Sequence, residues 1–194
     1  MIRAARTAAA LGGLLVAAAA VRGHVNPPVV LLSDRDAMVA VLPDATTFEP
    51  TRLELTPQQK QALKKEWRFN VDDSAFRVHQ GRDAEGRPAG CAVFLTQATI
   101  HSPVRLAVGL GENGRITGVA VVELSEESYA WVKPLIDQGL TKAYVGLDAF
   151  GAFEAPDGAS GRLPSMQRYY AKVLGRLAQS AAALYRTARM PGPH

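Results

Sequence analysis

Apolar and polar positions alternate through the middle of the chain with the two-residue period of a half-buried strand, and they switch to a helical period at its C-terminal end. Ala75 to Gln80 places Phe76 and Val78 on one face and Arg77 and His79 on the other. Gly90 to Thr96 and Ser102 to Gly109 are apolar runs of strand length. The turn Gly111-Glu112-Asn113-Gly114 joins the second run to Ile116–Leu124, and Asn-Gly between two apolar runs predicts a hairpin. Asp83 to Pro88 is a further hairpin-type turn, and Leu53 to Leu55 predicts a brief strand after a turn over Pro43–Phe48. From Ser165 to about Arg189, Met166, Tyr170, Val173, Leu177, Ala181 and Leu184 recur at three- and four-residue spacing, which predicts a long helix with one buried face.

Shorter helices carry their own punctuation. Asp34–Leu42 predicts a helix capped by Ser33 or Asp34. Thr56-Pro57-Gln58-Gln59 combines a threonine cap, a proline in the first turn and a glutamine three residues after the cap, opening a helix to Trp67. Ser125–Ile136 predicts another, and Lys142–Gly146 leads on from it. Strands followed by segregated helices give an α+β fold: an antiparallel sheet with flanking helices and a long C-terminal helix.

The N-terminus changes the picture of where the protein works. Arg3 and Arg6 precede an apolar stretch from Ala8 to Val21 closed by Arg22, with Ala18–Ala20 as a cleavage point. That pattern predicts an export signal, with an uncleaved membrane anchor as the alternative, because the run falls short of the roughly 20 residues of a spanning helix. The expected organisation is residues 1–22 as signal or anchor, 23–33 as an extended linker, 34–189 as one domain and 190–194 as a tail. The expected location is the periplasm or the outer face of the cytoplasmic membrane.

Composition narrows the chemistry. The 194 residues carry a formal charge of +4, scattered without an aromatic-interleaved stripe, which does not support nucleic-acid binding. Cys91, the only cysteine, lies in an apolar run and reads as a buried, inert thiol; there is no intrachain disulfide and no cysteine-based zinc site. His24, His79, His101 and His194 form no helical metal-ligand pair. His79 reads as a surface residue at a strand end. His101, in the loop Thr99–Pro103, is either a site residue or a hydrogen-bonded structural one. A serine-hydrolase elbow is lacking, and Glu126-Glu127 suit the start of a helix dipole. Tyr169-Tyr170 and Tyr129 with Trp131 are aromatic pairs able to pack a core or flank a ring.

The segment that draws these pieces together is Asp157-Gly158-Ala159-Ser160-Gly161-Arg162-Leu163-Pro164, immediately before the long helix. A glycine-rich loop opening a helix offers backbone N–H groups and a positive dipole end to an anion, and Arg162 adds a full charge. The local pattern alone also suits an ordinary loop.

In order along the chain, Leu42–Phe48, Ile100–Val104, the Leu106–Val119 hairpin and Glu123–Tyr129 resemble the FMN-binding domain of exported flavoproteins. Members include the FMN-carrying subunits of the sodium-pumping NADH:quinone reductase and of the Rnf complex. In that family a segment Asp-Gly-x-Ser/Thr-Gly-Ala-Thr carries FMN as a phosphoester on its last threonine. Asp157–Gly161 matches the first five positions, and Arg162 and Leu163 replace the last two. Leucine has no hydroxyl, so the family's covalent bond cannot form there. The resemblance therefore implies FMN held without a covalent bond by Asp157, Gly158, Ala159, Ser160, Gly161, Arg162 and His101. It also implies electron transfer with membrane or envelope redox proteins rather than substrate-specific catalysis. The alternatives are a cofactor-less assembly partner of such a complex and an envelope binder of another planar or anionic ligand.

Overall fold

The structure is a computed structural model that describes residues 28–69, 71, 75–151 and 163–189. Its centre is one six-stranded antiparallel sheet: β1 (Pro28–Val30), β2 (Thr47–Glu54), β3 (Ala75–Arg82), β4 (Pro88–Gln97), β5 (Val104–Gly111) and β6 (Ile116–Ser125). The order β1-β6-β5-β4-β3-β2 is a five-strand meander with β1 added beside its last member. The helices are α1 (Asp34–Val41), α2 (Pro57–Trp67), α3 (Glu126–Asp137) and α4 (Ser165–Arg189), with a 3-10 turn at Lys142–Tyr144. The α+β architecture and its long C-terminal helix are those the sequence pattern implies.

Local chemistry sets the boundaries. The β5–β6 hairpin turns where Gly114 adopts φ +76° and the Asn113 side chain accepts from the Arg115 N–H at 3.0 Å. Around α2, the Thr56 hydroxyl accepts from Gln59 N–H at 3.2 Å, while the Gln59 side chain accepts from Thr56 N–H at 2.9 Å. Two donors at the helix start are thus satisfied reciprocally. Ser33, not Asp34, caps α1 by accepting from Asp36 N–H.

The sheet buries both faces, unequally. On one, Tyr170, Val173, Leu174, Leu177, Ala181 and Leu184 of α4 are buried in a single core with Cys91, Val93, Leu95, Leu106 and Val108. Each full-sized apolar side chain removed from water there contributes roughly 1.5–3 kcal/mol. On the other, α1 seats Ala37 and Val41 on Ala92, Ala107 and Val122. Small residues let that helix come close: a Cβ on Gly118 would lie 2.6 Å from the Val41 Cα, and one on Gly109 would overlap the Val41 carbonyl. The guanidinium of Arg105 on β5 grips Asp34 with two bonds of 2.6 and 2.9 Å, tying the start of α1 to the sheet and holding that carboxyl below its usual range.

Several boundaries differ from the sequence pattern, and at three of them the physical reason is visible. Pro28–Val30, expected within an extended linker, is extended but pairs with Glu123–Ser125 as an edge strand, so the sheet begins before residue 34. Strand β2 starts at Thr47 rather than Leu53, and Leu55 lies beyond it, buried. Pro50 and the charges of this edge strand interrupt the apolar alternation that would have marked it. Strand β5 runs from Val104 to Gly111 instead of Ser102 to Gly109, because Thr99 folds Ile100–Ser102 into a turn.

Candidate functional site

The loop between β4 and β5 folds against the first turns of α4. Thr99 Oγ1 donates to the Ser102 carbonyl at 2.6 Å and accepts from the N–H groups of His101 and Ser102, each at 3.3 Å. That turn holds Ile100 and His101 outward. The Ile100 N–H donates to the Tyr169 hydroxyl at 3.3 Å across 69 residues of sequence. His101 stacks on the Tyr170 ring with centroids 6.4 Å apart, and its Nδ1 lies 2.8 Å from Glu127 Oε1. A carboxylate on Nδ1 fixes the orientation of the imidazole. The His101 side chain is 25 % exposed and that of Glu127 49 %.

Beneath this surface lies a closed hydroxyl network. Ser125 caps α3 by accepting from Ser128 N–H and donates its own proton to Ser128 Oγ at 2.9 Å. Ser128 Oγ and the Tyr170 hydroxyl share a bond of 2.8 Å, and the latter lies 3.4 Å from Thr99 Oγ1. Ser128 and Tyr170 are fully buried, so these bonds discharge polar groups that water cannot reach. The network therefore positions, while His101, Glu127, Tyr169 and the 68 % exposed Ile100 form the accessible ledge. A ledge of this kind offers an apolar and aromatic surface to a planar ring, with an oriented imidazole at its edge.

Of the residues expected to hold a cofactor, His101 is at this ledge. Asp157, Gly158, Ala159, Ser160, Gly161 and Arg162 lie outside the described residues. Leu163, the first described residue after them, packs partly buried against the main core, and its carbonyl accepts from the Arg168 guanidinium at 3.1 Å.

In sequence Glu127 reads as a helix-start carboxylate within the Glu123–Tyr129 stretch, and Tyr170 as a buried-face position of the long helix and half of an aromatic pair. Their roles come from tertiary pairing, for which no local spacing gives a signal. His79, expected on the surface, is partly buried edge-on to Phe94 at 5.6 Å, and burial lowers its pKa. Cys91 is buried as expected, its thiol pushed up to about 12 by desolvation.

Two clefts lie elsewhere on the α4 side. One, of about 790 Å³, is lined by Trp67, Phe69, Phe76, Thr96, Arg176 and Leu177. The other, of about 430 Å³, lies between β2–β4 and the last turns of α4. Among the described residues no group of His, Cys, Asp and Glu could hold a metal ion, and no helix is long and apolar enough to cross a membrane. No protein-family model, curated protein or solved structure matches the chain.

Proposed function

We propose that this chain is an exported FMN-binding-type domain that serves envelope electron transfer and holds its flavin without a covalent bond. The observation that carries this reading is the convergence on the start of α4. The histidine loop and the Glu-Ser-Tyr stretch, which the resemblance links to the glycine motif, meet there through His101–Glu127, Ile100–Tyr169 and Ser128–Tyr170. These contacts join segments far apart in sequence, and α4 is the helix that the Asp157–Arg162 motif opens.

On this reading, the loop N–H groups and Arg162 hold the phosphate at the helix start, where dipole and charge act together. Ile100 and Tyr169 supply the surface for the ring, and His101, oriented by Glu127, hydrogen-bonds its polar edge. Bound FMN would supply the electron-carrying chemistry; the protein's part is binding, orientation and electrostatics. Redox proteins of the membrane or envelope are the partners in this proposal, with the N-terminal segment as export signal or anchor.

The test is the visible spectrum of the purified exported protein, before and after acid precipitation. Flavin released into the supernatant supports the reading. Flavin retained in the pellet would refute non-covalent binding and point to Ser160 or Ser165. Absence of flavin from both fractions, even after excess FMN, would leave a cofactor-less assembly partner. Arg162→Ala should weaken FMN by about 1.5–3 kcal/mol; tighter binding would show that Arg162 fills the pocket instead. Tyr169→Ala should weaken binding, whereas Trp67→Ala, in the separate aromatic cleft, should not.

A further inference from the structure

The cleft of about 430 Å³ lies at the opposite end of α4 from His101. It exists because, of the sheet's strands, α4 packs chiefly on β4 and β5. The inward side chains of β2 and β3, among them Leu53 and Val78, therefore face open space beside the last helical turns. Its volume falls within the ~300–1,000 Å³ of small-molecule sites.

The floor is mainly apolar, with Leu53, Val78, Cys91, Val93 and Leu184; Thr51, opposite Val78, and Gln80, opposite Cys91, are its polar members. The lips are cationic and come from opposite sides, Arg82 from β3 and Arg189 from α4. Arg189 donates to Glu112 at 2.7 Å and lies over the Tyr185 ring at 5.2 Å. Arg82 donates to the Gly86 carbonyl at 3.1 Å, and its nearest carboxylate, on Glu49, is a long 3.8 Å away. Each guanidinium has five N–H donors and so retains some for a ligand. Arginines outnumber carboxylates on the lining three to one, with Glu112 the single acidic member.

We propose that this cleft binds a small amphipathic carboxylate, its hydrocarbon or ring body on the Leu53–Val93–Leu184 floor and its head group between Arg82 and Arg189. A mainly apolar floor favours a hydrocarbon or ring body over a sugar, and cationic lips disfavour amines. The inference does not depend on a flavin being present.

The test is a titration of the full chain, free of FMN, with decanoate, decanol and decylammonium below their micelle concentrations. Methyl NMR of Leu53, Val78, Val93 and Leu184 gives both location and affinity. Saturable decanoate shifts at these methyls are expected, with decylammonium about tenfold weaker. The double variant Arg82→Gln/Arg189→Gln should bind decanoate about tenfold more weakly while decanol changes little. Both arginines are partly exposed, so the variant keeps its core, which its unliganded methyl spectrum checks directly. Unmoved methyls, equal binding of decylammonium, or a double variant that binds decanoate unchanged would each overturn the proposal. So would FMN displacing decanoate at these methyls, since the cleft would then belong to the flavin.

Discussion

Gly118→Ala tests how tightly α1 is seated on the sheet. The added methyl carbon would stand 2.6 Å from Val41 Cα, 2.9 Å from Val41 O and 3.0 Å from Ala40 O. Carbon atoms in favourable contact sit about 3.5–4.0 Å apart, so the last turn of α1 must retreat by about 1 Å. No flexible side chain can yield instead, because all three neighbours are backbone. The retreat stretches the bond from Thr117 Oγ1 to the Val41 carbonyl, worth about 1 kcal/mol. It also loosens Ala37 and Val41 on Ala92, Ala107 and Val122, and overpacking of this kind costs about 1–3 kcal/mol. Alanine recovers about 0.5–1 kcal/mol through the reduced entropy of the unfolded chain. The expected net loss is about 2 kcal/mol, read as a lower urea midpoint at unchanged slope. Gly151→Ala is the control. Its Cβ would meet its neighbours at 3.6–3.8 Å, and the change should stay within about 0.5 kcal/mol. A Gly118→Ala protein as stable as the control would refute the close approach of helix and sheet.

Other substitutions address the site and the electrostatics. Tyr170→Phe keeps the ring under His101 but removes the 2.8 Å bond to Ser128, and should cost about 1–2 kcal/mol in urea unfolding; no loss would mean the hydroxyl network carries no stability. The Asp34 carboxyl is held below its ordinary 3.8 by Arg105, so its contribution is complete above that value and fades as pH falls through the lowered folded-state pKa. Asp34→Asn should therefore lose at most about 1 kcal/mol at neutral pH, since the pair is partly exposed, and should flatten the acid side of the stability profile; an unchanged profile would count against the pair. Cys91, with its thiol pushed up to about 12, should resist iodoacetamide at neutral pH in the folded protein and react once urea unfolds it. Rapid labelling of the folded protein would contradict its burial.

Features with a local physical cause were legible in the sequence. The Asn113-Gly114 turn, the Thr56–Gln59 capping box and the spacing of Tyr170, Val173, Leu177 and Leu184 each specify their element through neighbours a few residues away. The edge strands were not. β1 has only three residues, too few for an alternation to register, and Pro50 breaks that of β2. The chemistry of the candidate site was half legible. His101 stood out as a histidine in a loop between strands, but Glu127 satisfied the ordinary expectations of a helix start. Only the folded chain brings that carboxylate to the imidazole, because the pairing depends on how β6 delivers α3 beside the β4–β5 loop.

The two ends of α4 give the fold a further testable property. A flavin at its start and a carboxylate at its end would be separated by roughly the span from Tyr170 to Tyr185, about 22 Å at 1.5 Å per residue. The two places share no side chain, for none of Ile100, His101, Glu127 and Tyr169 lines the cleft. Coupling would then need α4 to shift as a body between two arrangements, since energetic linkage requires an element that both sites bias. Nearly every turn of its inner face is buried, from Tyr170 through Leu174, Leu177 and Ala181 to Tyr185, so such a shift would disrupt the core along its whole length. Saturating decanoate should therefore change FMN affinity by less than about twofold, a coupling below about 0.4 kcal/mol. A larger change, measured by flavin titration with and without decanoate, would mean either that α4 moves as a unit or that the two ligands share one site. Repeating the titration in Arg82→Gln/Arg189→Gln separates those outcomes. Coupling that disappears with the arginines runs through the cleft, whereas competition for one site would weaken FMN binding itself in that variant.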